Sequence, residues 1–257
     1  MLKPLPHHAL PGLWLVVAGL GVAASSAHAE DNLFYAPPPA ADESSGISGK
    51  AELGYTSLSG NSNSETLLAK GSLSWYTGPW TRTLRAETKR VEDSGNVSTE
   101  EYLLGARQRL SLEGPHYLFN LARWNKERFS GYDYQATVIA GYGRQILDSS
   151  PHHLSLETGP GYRRDAWESG SDRDLLVAYG ALDYEYELSE SATFEQQLST
   201  EATIDNVISR SYSAISVPLN DNLALKFSHE IKNNSNPPDE ADVDTDTTTA
   251  ASILYNF

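Results

Sequence analysis

From about residue 46 to its last residue the chain alternates: apolar or small side chains occupy every second position, and short polar turns divide the pattern into segments of ten to fourteen residues. A period of two belongs to a β-strand with one face in an apolar phase and the other in a polar one. In LLVAYGALDYEYEL the set Leu176, Ala178, Gly180, Leu182, Tyr184, Tyr186 and Leu188 shares one face, and Asp183, Glu185 and Glu187 stand opposite. NLALKFSHEI puts Leu223, Leu225, Phe227 and Ile231 against Lys226, Ser228 and Glu230. The alternation runs into the terminus: Ala251, Ile253, Tyr255 and Phe257 fall on one face of SILYNF and the residues before it, with Leu254 the one apolar residue on the other. A strand that continues to the final residue needs a neighbour to pair with and an apolar phase to face.

The pattern predicts about twelve strands, at 46–58, 64–77, 80–92, 98–111, 116–128, 133–146, 153–165, 174–188, 193–204, 209–218, 222–233 and 244–257. Segments 80–92 and 209–218 alternate poorly, which leaves their register loosely defined. Tight connections such as TGPW at 77–80 and LNDN at 219–222 take turns with more polar ones such as SGNSN at 59–63, DSGN at 93–96 and NNSNPPDEADVD at 233–244. An even strand count with short turns at one end and longer loops at the other is the pattern of an all-β, antiparallel, up-and-down transmembrane barrel with both termini periplasmic. Aromatic residues gather where interfacial girdles belong: Trp75, Tyr76, Trp80, Tyr117, Phe119, Tyr184, Tyr186, Phe194, Tyr255 and Phe257 by the short turns, Tyr55, Phe129, Tyr132, Tyr162 and Tyr212 toward the other end. A soluble β-sandwich or lectin also has aromatic strands, but the terminal strand and the leader described next favour the membrane.

Residues 1–29 read as a signal peptide: Lys3, an apolar run from Leu13 to Ala24, and Ala27-His28-Ala29 as the cleavage site. The run is too short to span a bilayer as a helix. Residues 30–45, rich in Pro, Ala and acids, read as a flexible periplasmic leader, and 46–257 as the barrel domain, so the expected address is the cell outer membrane. The chain has 19 basic and 34 acidic residues, and removal of Lys3 with the signal leaves 18 against 34, a charge of −16. That surface disfavours nucleic acid. There are no cysteines, which excludes disulfides, zinc–thiolate sites and cysteine nucleophiles. A mean hydropathy of −0.43 would argue against a helical membrane protein, but a barrel shows lipid to every second residue only.

Five stretches, GNSNSETLLAKGSLSW, ERFSGYDYQATVIAGYGRQIL, LSLETGPGYRR, DNLALKFSHEIKNNSNPP and DTDTTTAASILYNF, resemble the YdiY-like proteins, known as salt-induced outer-membrane proteins and classed as a domain of unknown function. The resemblance runs from about Gly46 to Phe257. It implies an outer-membrane barrel and carries no catalytic residue or ligand.

Candidate chemistry lies on the polar faces. Lys50, Glu52, Lys70, Arg85, Glu87, Lys89, Arg107, Arg109, Glu157, Arg163 and Glu185 are assigned to the lumen. They would line a narrow passage for small solutes, anionic ones if Arg85, Lys89, Arg107 and Arg109 form a positive wall, or else neutralise one another in a closed barrel whose role is structural or adhesive. Ile253, Tyr255 and Phe257 read as the strand that barrel-assembly machinery recognises, and outer-membrane lipid and lipopolysaccharide are the other expected partners. Asp239, Glu240, Asp242, Asp244 and Asp246 offer carboxylates to a divalent cation but lack the spacing of a calcium loop, so a solvated acidic loop is expected, with no metal and no cofactor. For an outer-leaflet lipid enzyme, only His229 lies toward the far end; its neighbour Ser228 points to the opposite face, and no Gly-x-Ser-x-Gly elbow is present. No enzymatic activity is expected.

Overall fold

Strand backbones in hydrocarbon must find hydrogen-bond partners on both sides, and a sheet meets that demand only by closing. In the computed structural model, which describes residues 45–58, 64–168, 170, 172–189, 191–237 and 244–257, the sheet closes. Twelve antiparallel strands form it in chain order: β1 (Ser45–Leu58), β2 (Ser64–Thr77), β3 (Trp80–Asp93), β4 (Asn96–Ser111), β5 (His116–Arg128), β6 (Tyr132–Ser149), β7 (His152–Trp167), β8 (Asp172–Ser189), β9 (Ala192–Ala202), β10 (Val207–Pro218), β11 (Leu223–Asn234) and β12 (Thr245–Asn256). Each strand pairs with its neighbours in sequence, and β12 pairs with β1. The signal peptide, the leader up to Ser44, and Asp239, Glu240 and Asp242 lie outside the described residues.

Departures from the expected boundaries have local causes. DSGN, expected as a longer loop, is a two-residue hairpin in which Ser94 and Gly95 both take positive φ, 53° and 82°, so β4 starts at Asn96 rather than 98. That pair of left-handed residues matches the twist of the flanking strands. The strand expected at 193–204 stops at Ala202, because Thr203 N–H donates to the Asn206 carbonyl at 2.8 Å and closes a turn that throws Ile204 outward. β6 runs on to Ser149 past a register shift between Gln145 and Leu147.

The outer face is apolar: Leu53, Leu67, Leu104, Leu176 and Phe227 are each more than half exposed, which suits lipid and not water. β3 and β10 blur this rule for different reasons. On β3 the outward set includes Arg82 and Arg90 near the strand ends, and the Arg82 guanidinium lies over the Trp80 ring at 5.5 Å. On β10 both faces are mixed, with Ser216 buried inside and Ile215 and Val217 exposed outside. Ile208, Tyr212 and Ala214 point inward and are buried, while Ser211 and Ser213 face outward and satisfy themselves against Gln196 of β9.

Four aromatics expected in girdles are inside: Tyr117, Phe119, Tyr132 and Tyr212 are buried. Glycine makes room for two of them. A Cβ on Gly143 would sit 2.2 Å from the Tyr117 ring, and one on Gly141 2.7 Å from the Phe119 ring, so β6 can accept these rings only where it has no side chain. Together with Leu121, Ile139 and Tyr179 they form an apolar cluster along the inner wall of β5, β6 and β8.

At the β1–β12 seam Gly49 and Phe257 exchange backbone hydrogen bonds of 2.8 and 2.9 Å. The Phe257 ring lies over Gly49, where a Cβ would come within 2.2 Å of it. Ile253, Tyr255 and Phe257 all face outward, and the Tyr255 and Phe257 rings stack at 5.9 Å.

The two faces of β8 make a direct test. Leu182→Arg sets a charge against lipid near mid-strand and is expected to cost about 2–4 kcal/mol. Asp183→Asn, on the inner face, keeps an acceptor for the Gln197 side-chain amide at 2.6 Å and is expected to cost less. Reversible unfolding from lipid vesicles ranks the two, and the opposite order refutes this register. Deletion of Phe257 removes both backbone bonds to Gly49, and heat-modifiable gel mobility is expected to show a smaller folded fraction after refolding into vesicles.

Candidate functional site

Inward positions of consecutive strands converge on the barrel axis, so charges placed there must pair with one another or stay hydrated. On β3 and β4, Arg85 Nε lies 2.6 Å from Glu87 and Lys89 Nζ 2.9 Å from Glu101. Arg107 reaches across to Glu157 of β7, which also accepts a hydrogen bond from the Tyr117 hydroxyl at 2.9 Å. The Arg107 guanidinium lies 4.7 Å from the centre of the Phe119 ring, and that of Arg109 3.8 Å from the Tyr117 ring. Four cations do share the wall of β3 and β4, but none of them is a bare charge.

A second group surrounds Lys226 of β11, which is 0% exposed. Its ammonium lies 3.4 Å from Glu195 of β9 and 3.8 Å from Glu52 of β1, and Glu52 in turn accepts a hydrogen bond from Ser252 at 2.8 Å. The ammonium groups of Lys70 and Lys226 both lie over the Tyr212 ring, at 5.3 and 5.4 Å. Toward the longer loops, Arg163 makes two bonds to Asp165 at 2.8 and 3.1 Å. Arg123 of β5 lies 2.5 Å from Glu201 of β9. Lys232 of β11 donates to Glu127 of β5. Strands β5 and β11 lie on opposite sides of a twelve-strand ring, so this pair bridges the full width of the lumen. Lys50 and Glu185 also sit at inward positions, on β1 and β8.

Glu101, Arg123, Glu127, Asp165, Glu195, Glu201 and Lys232 also belong to the network and are not among the lumen residues assigned from the sequence, nor is Lys226, which the sequence places only on a polar face. Strand parity carries the signal for each of them, since each shares a face with an inward residue two positions away. The remaining sequence candidates lie apart. His229 faces outward with Nδ1 2.9 Å from the Thr249 hydroxyl, whereas Ser228 is buried inside. His116, His152 and His153 sit at the rim that holds the chain terminus, where His152 stacks on Tyr186 at 4.7 Å. Asp244 precedes β12, and Asp246 pairs in register with Lys232. Among the described residues no group of His, Asp and Glu is arranged to hold a metal ion.

The pattern of a family described as a protein of unknown function, DUF481, matches residues 51–257. The chain belongs to that family. The match begins within β1 and takes in the other eleven strands. The chain is also 30% identical over 248 residues to an uncharacterized protein, YdiY, of Escherichia coli strain K12, with 96% of this chain and 98% of the relative covered. Solved structures share the barrel at low identity. The COG4313 outer membrane channel from Pseudomonas putida F1 is 11% identical, with a TM-score of 0.54 and 89% and 100% of the two chains covered. NanC porin is 8% identical, with a TM-score of 0.53 and 80% and 98% covered. The translocator domain of autotransporter NalP from Neisseria meningitidis is 12% identical, with a TM-score of 0.52 and 82% and 88% covered. These likenesses show that this chain has a fold shared by outer-membrane barrels.

Lys226 tests the network. In Lys226→Met, Glu195 remains buried without its cation, which is expected to cost about 3–5 kcal/mol. Adding Glu195→Gln is expected to restore part of the loss. Denaturant unfolding of the single and double variants in vesicles measures both.

Proposed function

We propose that this DUF481 protein is an outer-membrane barrel, with both termini periplasmic, whose lumen is closed at rest, and that it serves as an envelope component under salt or osmotic stress without catalysing a reaction. The bridge between Lys232 and Glu127 on opposite walls carries the closed-lumen reading. A lumen wide enough for free diffusion keeps its walls apart, whereas here side chains from both sides meet. Arg109, Arg163, Lys226 and Asp165 are essentially inaccessible, which further supports a filled interior. The low-identity outer-membrane neighbours support the address, and the resemblance to salt-induced proteins supports the setting.

A second reading, a narrow hydrated path, draws on one observation. The Lys226 ammonium stands 3.4 and 3.8 Å from its two acids, beyond the 2.7–2.9 Å of a direct charged hydrogen bond, so these charges are not locked together. Planar-bilayer recording separates the two readings. Wild-type protein is expected to give no steady current, and Lys232→Ala with Glu127→Ala is expected to give frequent openings. A steady wild-type current overturns the closed lumen, and anion selectivity in that current would restore the wall of Arg85, Lys89, Arg107 and Arg109 as its cause.

A further inference from the structure

The wall is not uniform where β6 meets β7. Residue pairing along these strands breaks off after Ile139–Gly161 and resumes in the same register at Tyr142–Thr158. Between them lie Ala140 and Gly141 on one strand and Gly159 and Pro160 on the other. Pro160 has no N–H to give. The two backbones crowd together: a Cβ on Gly159 would lie 2.3 Å from the Ala140 carbonyl oxygen, and one on Gly141 2.3 Å from that of Thr158. Two glycines permit this pinch. On the outer face, small residues follow one another across three strands, Ala140, Thr158 and Ala178 among them, between the larger Leu118 and Tyr142. The result is an apolar groove of about 820 Å³ in the surface that faces hydrocarbon.

The groove has a polar end. Toward the rim that holds the chain terminus, Tyr142 is followed two residues later by Arg144, also outward, which pairs in register with His116 of β5. The His116 Nδ1 hydrogen-bonds the Tyr142 hydroxyl, and the two rings stack at 5.8 Å. Arg144 is exposed and has no hydrogen-bond or ion-pair partner among the described residues. On a protein this acidic, an unpaired arginine on the lipid-facing side calls for an anion. Its aliphatic stem can lie along the wall while the guanidinium reaches the interface, where a phosphate takes two of its donors. From Arg144 to Gly141 is three residues, about 10 Å of strand, so one group anchored at the rim can lay an acyl chain in the groove.

We propose that this face binds one glycerophospholipid, its phosphate held by Arg144 and His116 and one acyl chain seated over Ala140, Thr158 and Ala178. The inference rests on the barrel spanning a membrane and on the terminal rim lying in the phospholipid leaflet. It does not depend on whether the lumen conducts.

Native mass spectrometry of the detergent-purified barrel, titrated separately with phosphatidylglycerol, phosphatidylethanolamine and lipid A, tests it. One phosphatidylglycerol or phosphatidylethanolamine per barrel is expected to remain bound. Arg144→Gln and Ala178→Trp, the latter filling the groove, are each expected to weaken retention at least tenfold. Arg164→Gln, an outward arginine at the other end already paired with Asp172, is expected to retain lipid as wild type does. Heat-modifiable mobility confirms that each variant is folded, and Ala178→Trp, which leaves every charge in place, decides the matter should Arg144→Gln fold poorly. Retention that is absent in wild type, or equal in wild type and both groove variants, overturns the site. Preference for lipid A overturns the assignment to a glycerophospholipid and with it the orientation of the rim, while a current in bilayers would overturn the closed lumen alone.

Discussion

Everything in this molecule depends on the first strand finding the last. Eleven hairpin junctions form between segments adjacent in sequence, but β1 and β12 lie at opposite ends of the chain and must meet to leave no edge. In hydrocarbon an open edge would strand a row of N–H and C=O groups without partners. The closing ladder runs only from Lys50–Asn256 to Gly54–Ser252, whereas the neighbouring β1–β2 ladder runs from Ser45–Thr77 to Leu58–Ser64. The shortest joint is therefore the one formed at the greatest chain separation, and Phe257 lengthens it by one reciprocal pair with Gly49 and a ring packed on a glycine.

Most of the architecture was legible because period-two alternation reports two things at once, where a strand lies and which face it shows to lipid. It failed where a residue's role was not set by polarity. β10 turns serines outward because Gln196 on the next strand satisfies them, and no single-strand pattern contains that neighbour. Tyr117 and Phe119 look like girdle residues by composition and position. They are interior because Gly143 and Gly141, on another strand, leave space for them. The interior network shows the same limit more sharply. Parity assigns a face to Arg107, but its acid is fifty positions away, and Lys232 meets an acid 105 positions away. Alternation gives a face and not a height along the axis, so a sequence can suggest a wall of like charge where the fold makes pairs.

The interior is divided by chemistry. Tyr117, Phe119, Leu121, Ile139 and Tyr179 fill the side of β5, β6 and β8 with apolar packing, while β1, β3, β9 and β11 contribute Glu52, Arg85, Glu195 and Lys226. Buried ion pairs add little net stability over well-packed apolar residues, yet breaking one is costly because the remaining charge is left without a partner. Such a network tolerates few alternative arrangements. The same glycines that seat aromatic rings on the inside thin the wall between β6 and β7 and shape its outer surface, so inner packing and outer contour are set by one run of residues.

Pairing of the interior charges has an electrical consequence. A potential across a membrane does work only on net charge that moves along the field, about 2.3 kcal/mol per elementary charge for each 100 mV. Lys89 with Glu101, Arg123 with Glu201 and Lys232 with Glu127 each move as a neutral couple. Shifting such a couple along the axis carries almost no gating charge. These three couples are thus ions nearly blind to voltage, and a field along the axis has little hold on them.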